Sequence, residues 1–484
     1  MAVPVEIRNV PRPKNTVVEC SGRPGKNMYP VRERSSVKYV KGSNPQPHNG
    51  KVVGHIIDGK FVPSTPKVKK NTTMLSYGTA ALINSVSKDI MSDLLAVYPV
   101  NVADTIMAIA ALKVERPSIK ARRYASAYAR SFLSQYYTNA ALSESTVSKL
   151  LIALGGDEEK RRDFYQKRLS RITEDSHIII DGTLKEDNSK VNDLSHYSYK
   201  SRVKGTKDIS VIYAYSLETH EPLCCEVFSG NHLDQIAYSN FVRHNGITKG
   251  IIVDDKGFPV SKIESILEEC PGLHYLTPLK RNDVRIKNNE MLNFDEVLTG
   301  IDENVLAKKK KIRGNKYLYA FKDTYKASQE RDTAVQSAKE SEEFDVEKYR
   351  VKEPLFGVIV YESDIDMSCE QAYCCYKRRW ELELLFKAYK TELELRTTNV
   401  QGDFSVFGSE FINFIATLIS SRIVKKFIEL GLLKKYTYGE LIEDLDSAWR
   451  MVIDEQNIPD KDDSNWIHVN VSVMNLMVKL GLCT

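Results

Sequence analysis

The sequence lacks the cysteine and histidine patterns that form zinc sites or disulfide frameworks. Its eight cysteines include the adjacent pairs Cys224–Cys225 and Cys374–Cys375, but no two of them form a C-x-x-C. Its nine histidines are scattered, and no pair flanks a glutamate at i, i+4 spacing. These absences argue against a zinc site and predict reduced, mostly packed cysteines and structural histidines.

The sequence also lacks a long apolar run and a secretory signal. No apolar run reaches the roughly 18 residues that are needed to span a bilayer. The first residues, MAVPVEIRNVPRPK, contain no apolar stretch of the kind that a signal peptide carries. We therefore expect an intracellular protein with no membrane partner.

What the sequence does contain is the composition of a globular protein with unevenly distributed charge. Of its 484 residues, 42% are hydrophobic and 27% are charged, and this length allows about two to four domains. The net charge is +5, but residues 1–70 hold 14 Lys and Arg against 4 Asp and Glu. Such a basic arm predicts a polyanionic partner, although a solvated terminal segment has the same composition.

The hydrophobic pattern changes from helical to mixed near residue 172. The candidate strands after that point are His177–Asp181, Ile209–Leu217, Pro222–Phe228, Gly250–Asp254 and His274–Leu279. Candidate helices lie at 232–243 and 259–270. Three strands in series, a helix, a strand, a helix and a strand predict a mixed α/β sheet.

Six segments follow from this pattern. They are a basic strand-containing module or arm (1–71), a helical region (72–172), a core in two parts (173–279 and 364–430), a β-rich insertion (280–363) and a C-terminal helical region (431–484). Within the helical region, Leu142–Leu151 resembles the second helix of a helix-turn-helix, although packing without DNA explains the pattern equally well.

Several local elements are expected from shorter patterns. Val52–Ile57, an Asp58-Gly59 turn and Lys60–Val62 predict a hairpin. The other expected elements are a basic helix from Lys120 to about Tyr137, a helix around Tyr438–Met451 and a short strand near Ile467–Val471.

The segment YKRRWELELLFKAYK, residues 376–390, predicts a helix with an unusual polar face. At about 100° per residue, Tyr376, Arg379, Lys387 and Lys390 all fall within roughly 40° of Glu383. A carboxylate flanked by phosphate-binding groups suits metal-assisted chemistry on a nucleic-acid backbone. An ordinary surface ladder of i, i+4 ion pairs would have the same spacing.

Two further carboxylates stand where apolar strands are expected to end. Asp181 follows Ile178–Ile180, and Asp254 and Asp255 follow Ile251–Val253. Open α/β sheets place their sites at the carboxyl ends of strands, where such acids could join Glu383 on hard divalent cations. Asp181-Gly182 could equally be a tight turn, and the doublet a loop or a helix cap.

Taken together, these motifs resemble the DDE transposases of bacterial insertion sequences. The signature Tyr-x2-Arg-x3-Glu-x6-Lys of that family is matched by Tyr376, Arg379, Glu383 and Lys390. The contexts of its two aspartates are matched by residues 180–183 (IDGT) and 255–258 (DKGF), and residues 229–234 (SGNHLD) match a further family segment. The resemblance spans about residues 175–425 and favours Asp255, whereas a strict strand-end interpretation would allow Asp254.

The resemblance implies an α/β fold with an RNase H-like mixed sheet, a β-rich insertion and a helical N-terminal DNA-binding region. It implies that Asp181, Asp255 and Glu383 are catalytic and hold two Mg²⁺ ions, for which Mn²⁺ can substitute. It also implies that Tyr376, Arg379 and Lys390 hold DNA phosphates, and we add Lys387 because it shares their face.

The resemblance further implies cut-and-paste transposition through hairpin DNA ends, with double-stranded DNA, both terminal inverted repeats and target, as the partner. A homodimer on paired ends and a bacterial cytoplasmic location at the nucleoid follow in the same way. Two rivals remain open: a metal-dependent nuclease of the same fold, and a DNA-binding protein without catalysis.

Overall fold

The computed structural model describes residues 3–20, 27–34, 49–64, 72–187, 189–198, 204–231, 235–253, 260–301, 303–341, 344–378, 392–453 and 467–483. Two compact units are distinguished. One comprises Met1–Thr72 and Ile453–Ile458, and the other comprises Thr73–Val452 and Pro459–Thr484.

The first unit contains a small antiparallel sheet. Its elements are α1 (Val5–Arg8), β1 (Thr16–Val18), β2 (Met28–Arg34), β3 (Asn49–Ile57) and β4 (Lys60–Pro63), with the strands paired in chain order. Val18, Val31 and Ile56 form its buried centre. Asp58 and Gly59 join β3 to β4 with φ values of 49° and 73°, as a tight hairpin turn requires, so the predicted hairpin is confirmed.

The second unit opens with β5 (Thr72–Ser76) and a series of helices. These are α2 (Gly78–Val86), α3 (Lys88–Leu95), α4 (Val100–Glu115), α5 (Tyr124–Tyr128), α6 (Leu133–Tyr136), α7 (Glu144–Gly156) and α8 (Glu158–Leu169). Helix α7 contains the amphipathic segment expected near Leu142–Leu151 and is capped by Ser143, whose side chain accepts from the Thr146 N–H.

The single basic helix expected from Lys120 to Tyr137 is wrong. A 3₁₀ turn and two short helices occupy this stretch, and the break between α5 and α6 has a clear cause. Ser131 forms a parallel bridge with Ser76 at the end of β5, through the Ser76 N–H to Arg130 carbonyl and the Phe132 N–H to Ser76 carbonyl bonds. Backbone groups committed to this bridge cannot also continue a helix.

The core is a mixed sheet with helices between its later strands. Its elements are β6 (His177–Asp187), β7 (His196–Tyr197), β8 (Lys207–Ser216), β9 (Glu221–Ser229), α9 (Gln235–His244), β10 (Lys249–Val253), α10 (Val260–Glu269) and β11 (Gly272–Pro278). The central order is β9-β8-β6-β10-β11. Strands β9, β8 and β6 are antiparallel neighbours, and β6, β10 and β11 are parallel. The prediction of a mixed α/β sheet is confirmed.

The segment expected as an insertion extends the same sheet. It contains α11 (Val284–Asn288), β12 (Glu296–Val297), β13 (Val305–Ile312), β14 (Lys316–Asp323), α12 (Thr324–Ser341), α13 (Val346–Lys352) and β15 (Val358–Ser363). Strand β15 pairs antiparallel with β11, and β14, β13 and β12 follow outward. In the described residues, the new strands are therefore a continuation of the core sheet rather than a sheet of their own.

The remaining elements are α14 (Cys369–Arg378), β16 (Thr397–Thr398), α15 (Asp403–Glu429), α16 (Tyr438–Asp446), β17 (Trp449–Ile453), β18 (Ile467–His468) and α17 (Val471–Lys479). Among the described residues, helix α15 is long and apolar enough to cross a membrane, with a mean hydropathy of 1.3 over its most apolar window. Because 78% of that window is buried within the fold, α15 has the environment of a core helix.

Two elements expected near the C-terminus are present but shorter than predicted: a helix at Tyr438–Asp446 and a strand at Ile467–His468. The helix expected to reach Met451 ends at Asp446, and the chain then forms β17, which pairs with β5 and β18. The Ala448 carbonyl accepts from the Tyr77 N–H, so this segment is fixed in strand pairing. Where a strand was expected to run to Val471, a helix begins instead, because the Asn470 side chain caps α17 by accepting from the Val473 N–H.

Helices α7 and α15 cross so closely that glycine is required on both. A Cβ at Gly155 would collide with the Phe404 carbonyl oxygen, and a Cβ at Gly408 would collide with the Leu151 carbonyl oxygen. Both obstacles are backbone atoms, which cannot rotate away. This crossing fixes the helical region of residues 78–169 against the helix that lies beneath the core sheet.

We predict that Gly155→Ala and Gly408→Ala each lower the free energy of unfolding by about 1–3 kcal/mol, because the two helices must separate to admit a methyl group. Gly156→Ala is the matched control, since a methyl group at Gly156 would have no other atom within 4 Å. It should leave stability unchanged or raise it by up to about 1 kcal/mol. Urea unfolding followed by circular dichroism measures all three, and a Gly408→Ala variant as stable as the parent would contradict the close crossing.

Candidate active site

Asp181 lies within a long strand and not at its end. It is the fifth residue of β6, which continues to Asp187, so the expectation that it closes the strand is wrong. The reason is the partner strand: β8 pairs with β6 without a register shift from Ile178 to Glu186. Continuous pairing carries the strand past Asp181 and leaves its side chain exposed on one face.

The face that Asp181 occupies is covered by helices on either side of it. Side chains alternate along a strand, so Asp181 shares its face with Ile179, and directly paired residues share a face across strands. Ile179 belongs to the core cluster that includes α14. Tyr213, the partner of Asp181, stacks on Phe414 of α15 with ring centroids 6.2 Å apart. Asp181 thus lies on the helix-covered face, between the contacts of α14 and those of α15.

The neighbouring parallel strand ends close to the same place. Val253, the last residue of β10, is paired with Ile179, two residues before Asp181. Asp254 and Asp255 come next in the sequence but lie outside the described residues, so their positions are untested. The Asp181 carboxylate is itself oriented by the backbone, because the Gly182 N–H donates to its Oδ1 at 2.8 Å.

Helix α14 leads toward the signature glutamate. It begins at Cys369, and its Ala372, Tyr373 and Cys375 are buried against the sheet. Tyr376, the first residue of the signature, is half-buried with its ring 4.8 Å from that of Tyr361. The other signature and face residues, Arg379, Glu383, Lys387 and Lys390, lie outside the described part of the chain.

A histidine that sequence reasoning missed joins β6 to α14. The His177 cluster consists of His177, Glu218 and Cys375. His177 Nε2 lies 2.9 Å from Cys375 Sγ, and His177 Nδ1 lies 2.9 Å from Glu218 Oε1. Burial favours the neutral ring, but hydrogen bonds with Cys375 and Glu218 outweigh burial and raise the pKa of His177 to about 9.

A buried ion pair, also missed, joins β6 to α15. Lys185, four residues after Asp181 on the same face, pairs with Glu410, and the two side chains are only 3% and 1% exposed. Asn413 donates to the same Glu410 oxygen at 2.9 Å. Burial lowers the pKa of Lys185, and the Glu410 carboxylate opposes that shift. The sequence pattern around Lys185 is the same for a buried lysine as for a solvated one. Its partner, Glu410, is far away in the sequence, so the pair could not be predicted.

The described residues contain one of the three predicted metal ligands. No group of three or more His, Cys, Asp and Glu side chains suited to a metal ion occurs within the described ranges. The donor chemistry of Asp181 itself fits Mg²⁺, because its side chain is an exposed carboxylate and hard cations take oxygen ligands.

The Transposase DDE domain family matches residues 172–419, which is just over half of the 484 residues. A similar solved structure is that of the piggyBac transposase in a cryo-EM synaptic complex with hairpin DNA. It has 11% sequence identity and a TM-score of 0.40, with 79% of this chain and 81% of that chain covered. No curated protein matches the chain.

Removing the negative charge of Glu410, which contacts β6, should change the stability of the fold more than removing that of Asp181, which belongs to β6. We predict that Glu410→Gln lowers the free energy of unfolding by about 3–5 kcal/mol, because it removes the charge that faces a buried ammonium group. Asp181→Asn should cost less than about 1 kcal/mol, because the side chain is exposed. Chemical denaturation measures both, and equal losses for the two variants would argue that Asp181 is a structural carboxylate.

Proposed function

The chain belongs to the Transposase DDE domain family, and on that premise we propose that this transposase cuts transposon DNA ends and joins them to target DNA with the help of divalent metal ions. The observation that carries the proposal is the placement of Asp181. This exposed carboxylate lies on the sheet face that α14 covers. It lies beside β10, the strand that leads to Asp254 and Asp255, and α14 is the helix that leads to Glu383.

Asp181, Asp255 and Glu383 are the residues that would hold the metal ions. When bound, two Mg²⁺ ions supply an activated water or DNA 3′-hydroxyl and stabilise the leaving 3′-oxygen. The chain's own contribution is to fix three oxygen donors in place before DNA arrives. Strand pairing does this for Asp181, whose backbone is bonded to β8 on both sides of it.

The choice of Asp255 over Asp254 is supported by side-chain alternation. Ile251 and Val253 both pack in the cluster that contains α14. If this alternation continued for two residues past the end of β10 at Val253, Asp255 and not Asp254 would share the face of Asp181. The sequence context Asp255-Lys256-Gly257-Phe258 favours the same residue.

DNA is the partner that the proposal requires. Arg379 suits a bidentate contact with a phosphate, and Lys387 and Lys390 suit point-charge contacts. The ring of Tyr376 packs on that of Tyr361, which limits the positions from which the Tyr376 hydroxyl could contact DNA. The basic N-terminal residues and the helices of residues 78–169 would recognise the terminal inverted repeats, with two copies of the chain holding paired ends in the bacterial cytoplasm.

Replacing the proposed ligands should separate cleavage from binding. Asp181→Asn, Asp255→Asn and Glu383→Gln should each lower the rate of end cleavage by about 10³-fold or more, because several kcal/mol of metal stabilisation are lost. The Asp254→Asn variant is the matched control and should cleave nearly normally. The substrate is a duplex carrying the inverted repeat that flanks the coding sequence, incubated with Mg²⁺ or Mn²⁺, and gel shifts measure binding in parallel.

Three outcomes would overturn all or part of this assignment. Cleavage retained by the Glu383→Gln variant would exclude the proposed ligand set. Cleavage without joined products in a plasmid assay would indicate a nuclease. Sequence-specific binding by the parent chain with no cleavage in either metal would indicate a DNA-binding protein without catalysis.

A further inference from the structure

The His177 cluster connects the two elements on which the proposed catalytic residues depend. His177 lies on β6, four residues before Asp181 and on the same face. Cys375 lies on α14, eight residues before Glu383 in the sequence. The 2.9 Å hydrogen bond between His177 Nε2 and Cys375 Sγ therefore joins the strand that carries Asp181 to the helix that precedes Glu383.

Glu218 fixes the imidazole from the opposite side. Its Oε1 lies 2.9 Å from His177 Nδ1, and both of its carboxylate oxygens accept from the His177 backbone N–H at 3.1 Å. One carboxylate thus fixes both the ring and the start of β6. A protonated imidazole has two N–H donors, which match the two acceptors that face it, the carboxylate and the sulfur.

Two members of the cluster are largely screened from solvent, whereas the Glu218 side chain is 38% exposed. Cys375 is 7% exposed and the His177 side chain 18% exposed. Among the described residues, the charged and titratable groups around the ring come from two elements: Glu218 from the β8–β9 turn, and Cys375 and Arg378 from α14, where Arg378 donates to the Leu217 carbonyl. Strand β10 presents the uncharged Ile251 to His177.

We propose that His177 and Cys375 are positioning residues for the transposase reaction, which hold α14 in a fixed place along β6 and so set the distance between Asp181 and the chain that carries Glu383. The proposal rests on the proposed function of that site. Neither residue is catalytic, because His177 lies about 13 Å from Asp181 along the strand, at about 3.3 Å per residue, and cannot touch a phosphate bound there.

Protonation of His177 should make the cleavage rate depend on pH, which a purely structural packing role would not do. The pKa of His177 is raised to about 9, above its ordinary value of 6.5. The contribution of the doubly donating ring is therefore complete below about pH 6.5 and is lost as the pH rises through about 9. If the ring positions α14, cleavage should lose speed over the same interval.

Three substitutions test the proposal on the full-length chain with the inverted-repeat duplex described above. Cys375→Ala removes the sulfur, Cys375→Ser keeps an acceptor for Nε2, and Cys374→Ala removes the neighbouring exposed thiol of the same helix as a matched control. Cys375→Ala should lower kcat about 10–100-fold with little change in KM, as loss of a supporting hydrogen bond does around metal sites. Cys375→Ser should restore most of the rate, and Cys374→Ala should match the parent.

The pH profile provides a second readout that needs no variant. The kcat of the parent should fall as the pH rises through about 9, and the lower kcat of Cys375→Ala should show no step there. Mn²⁺ affinity, measured by electron paramagnetic resonance without DNA, should weaken in Cys375→Ala and recover in Cys375→Ser.

The inference is wrong if Cys375→Ala cleaves at the parental rate, if the parental profile has no step near pH 9, or if cleavage and DNA binding fall together in proportion to lost stability. Asp181→Asn is measured alongside to keep the two claims apart. An active Asp181→Asn variant would overturn the proposed function itself. An inactive Asp181→Asn variant beside a fully active Cys375→Ala variant would overturn the positioning role alone.

Discussion

The two-residue repeat of strand β6 is the constraint on which the rest of the site depends. Because alternate side chains share a face, His177, Ile179, Asp181 and Lys185 all point toward the same layer of helices. Pairing with β8 on one side and β10 on the other keeps this repeat in register. One strand therefore presents a hydrogen-bonding ring, a core residue, an exposed carboxylate and a buried cation in a fixed order.

This order explains how an exposed carboxylate can be held rigidly. On one side of Asp181, His177 bonds to α14, and on the other side, Lys185 pairs with Glu410 of α15. Helix α15 is itself fixed, because Gly408 and Gly155 bring it into backbone contact with α7. The packed contacts lie before and after Asp181, and the carboxylate between them is exposed on a rigid frame, as preorganised metal sites require.

Much of this architecture could be predicted from the sequence, and the failures have physical causes. The apolar runs of β8, β9, β10 and β11 identified the mixed sheet, and the Tyr-Arg-Glu-Lys spacing identified the family. The length of β6 was missed because Gly182 follows Asp181 like a turn residue, whereas pairing with β8 overrides that local preference. The breaks at Ser131 and Ala448 were missed because distant backbone partners cause them, and the His177 cluster because residues 177, 218 and 375 meet only in the fold.

The central claim is that Asp181, Asp255 and Glu383 meet on one pair of divalent ions, and metal-soaked crystals test it most directly. Crystals of the full-length chain bound to its end DNA, soaked in Mn²⁺, would locate the ions by anomalous scattering. We expect manganese peaks within about 2.0–2.3 Å of carboxylate oxygens from all three residues, at the helix-covered face of β6. Manganese bound by other side chains, with Asp181 outside coordination distance in the DNA complex, would contradict it.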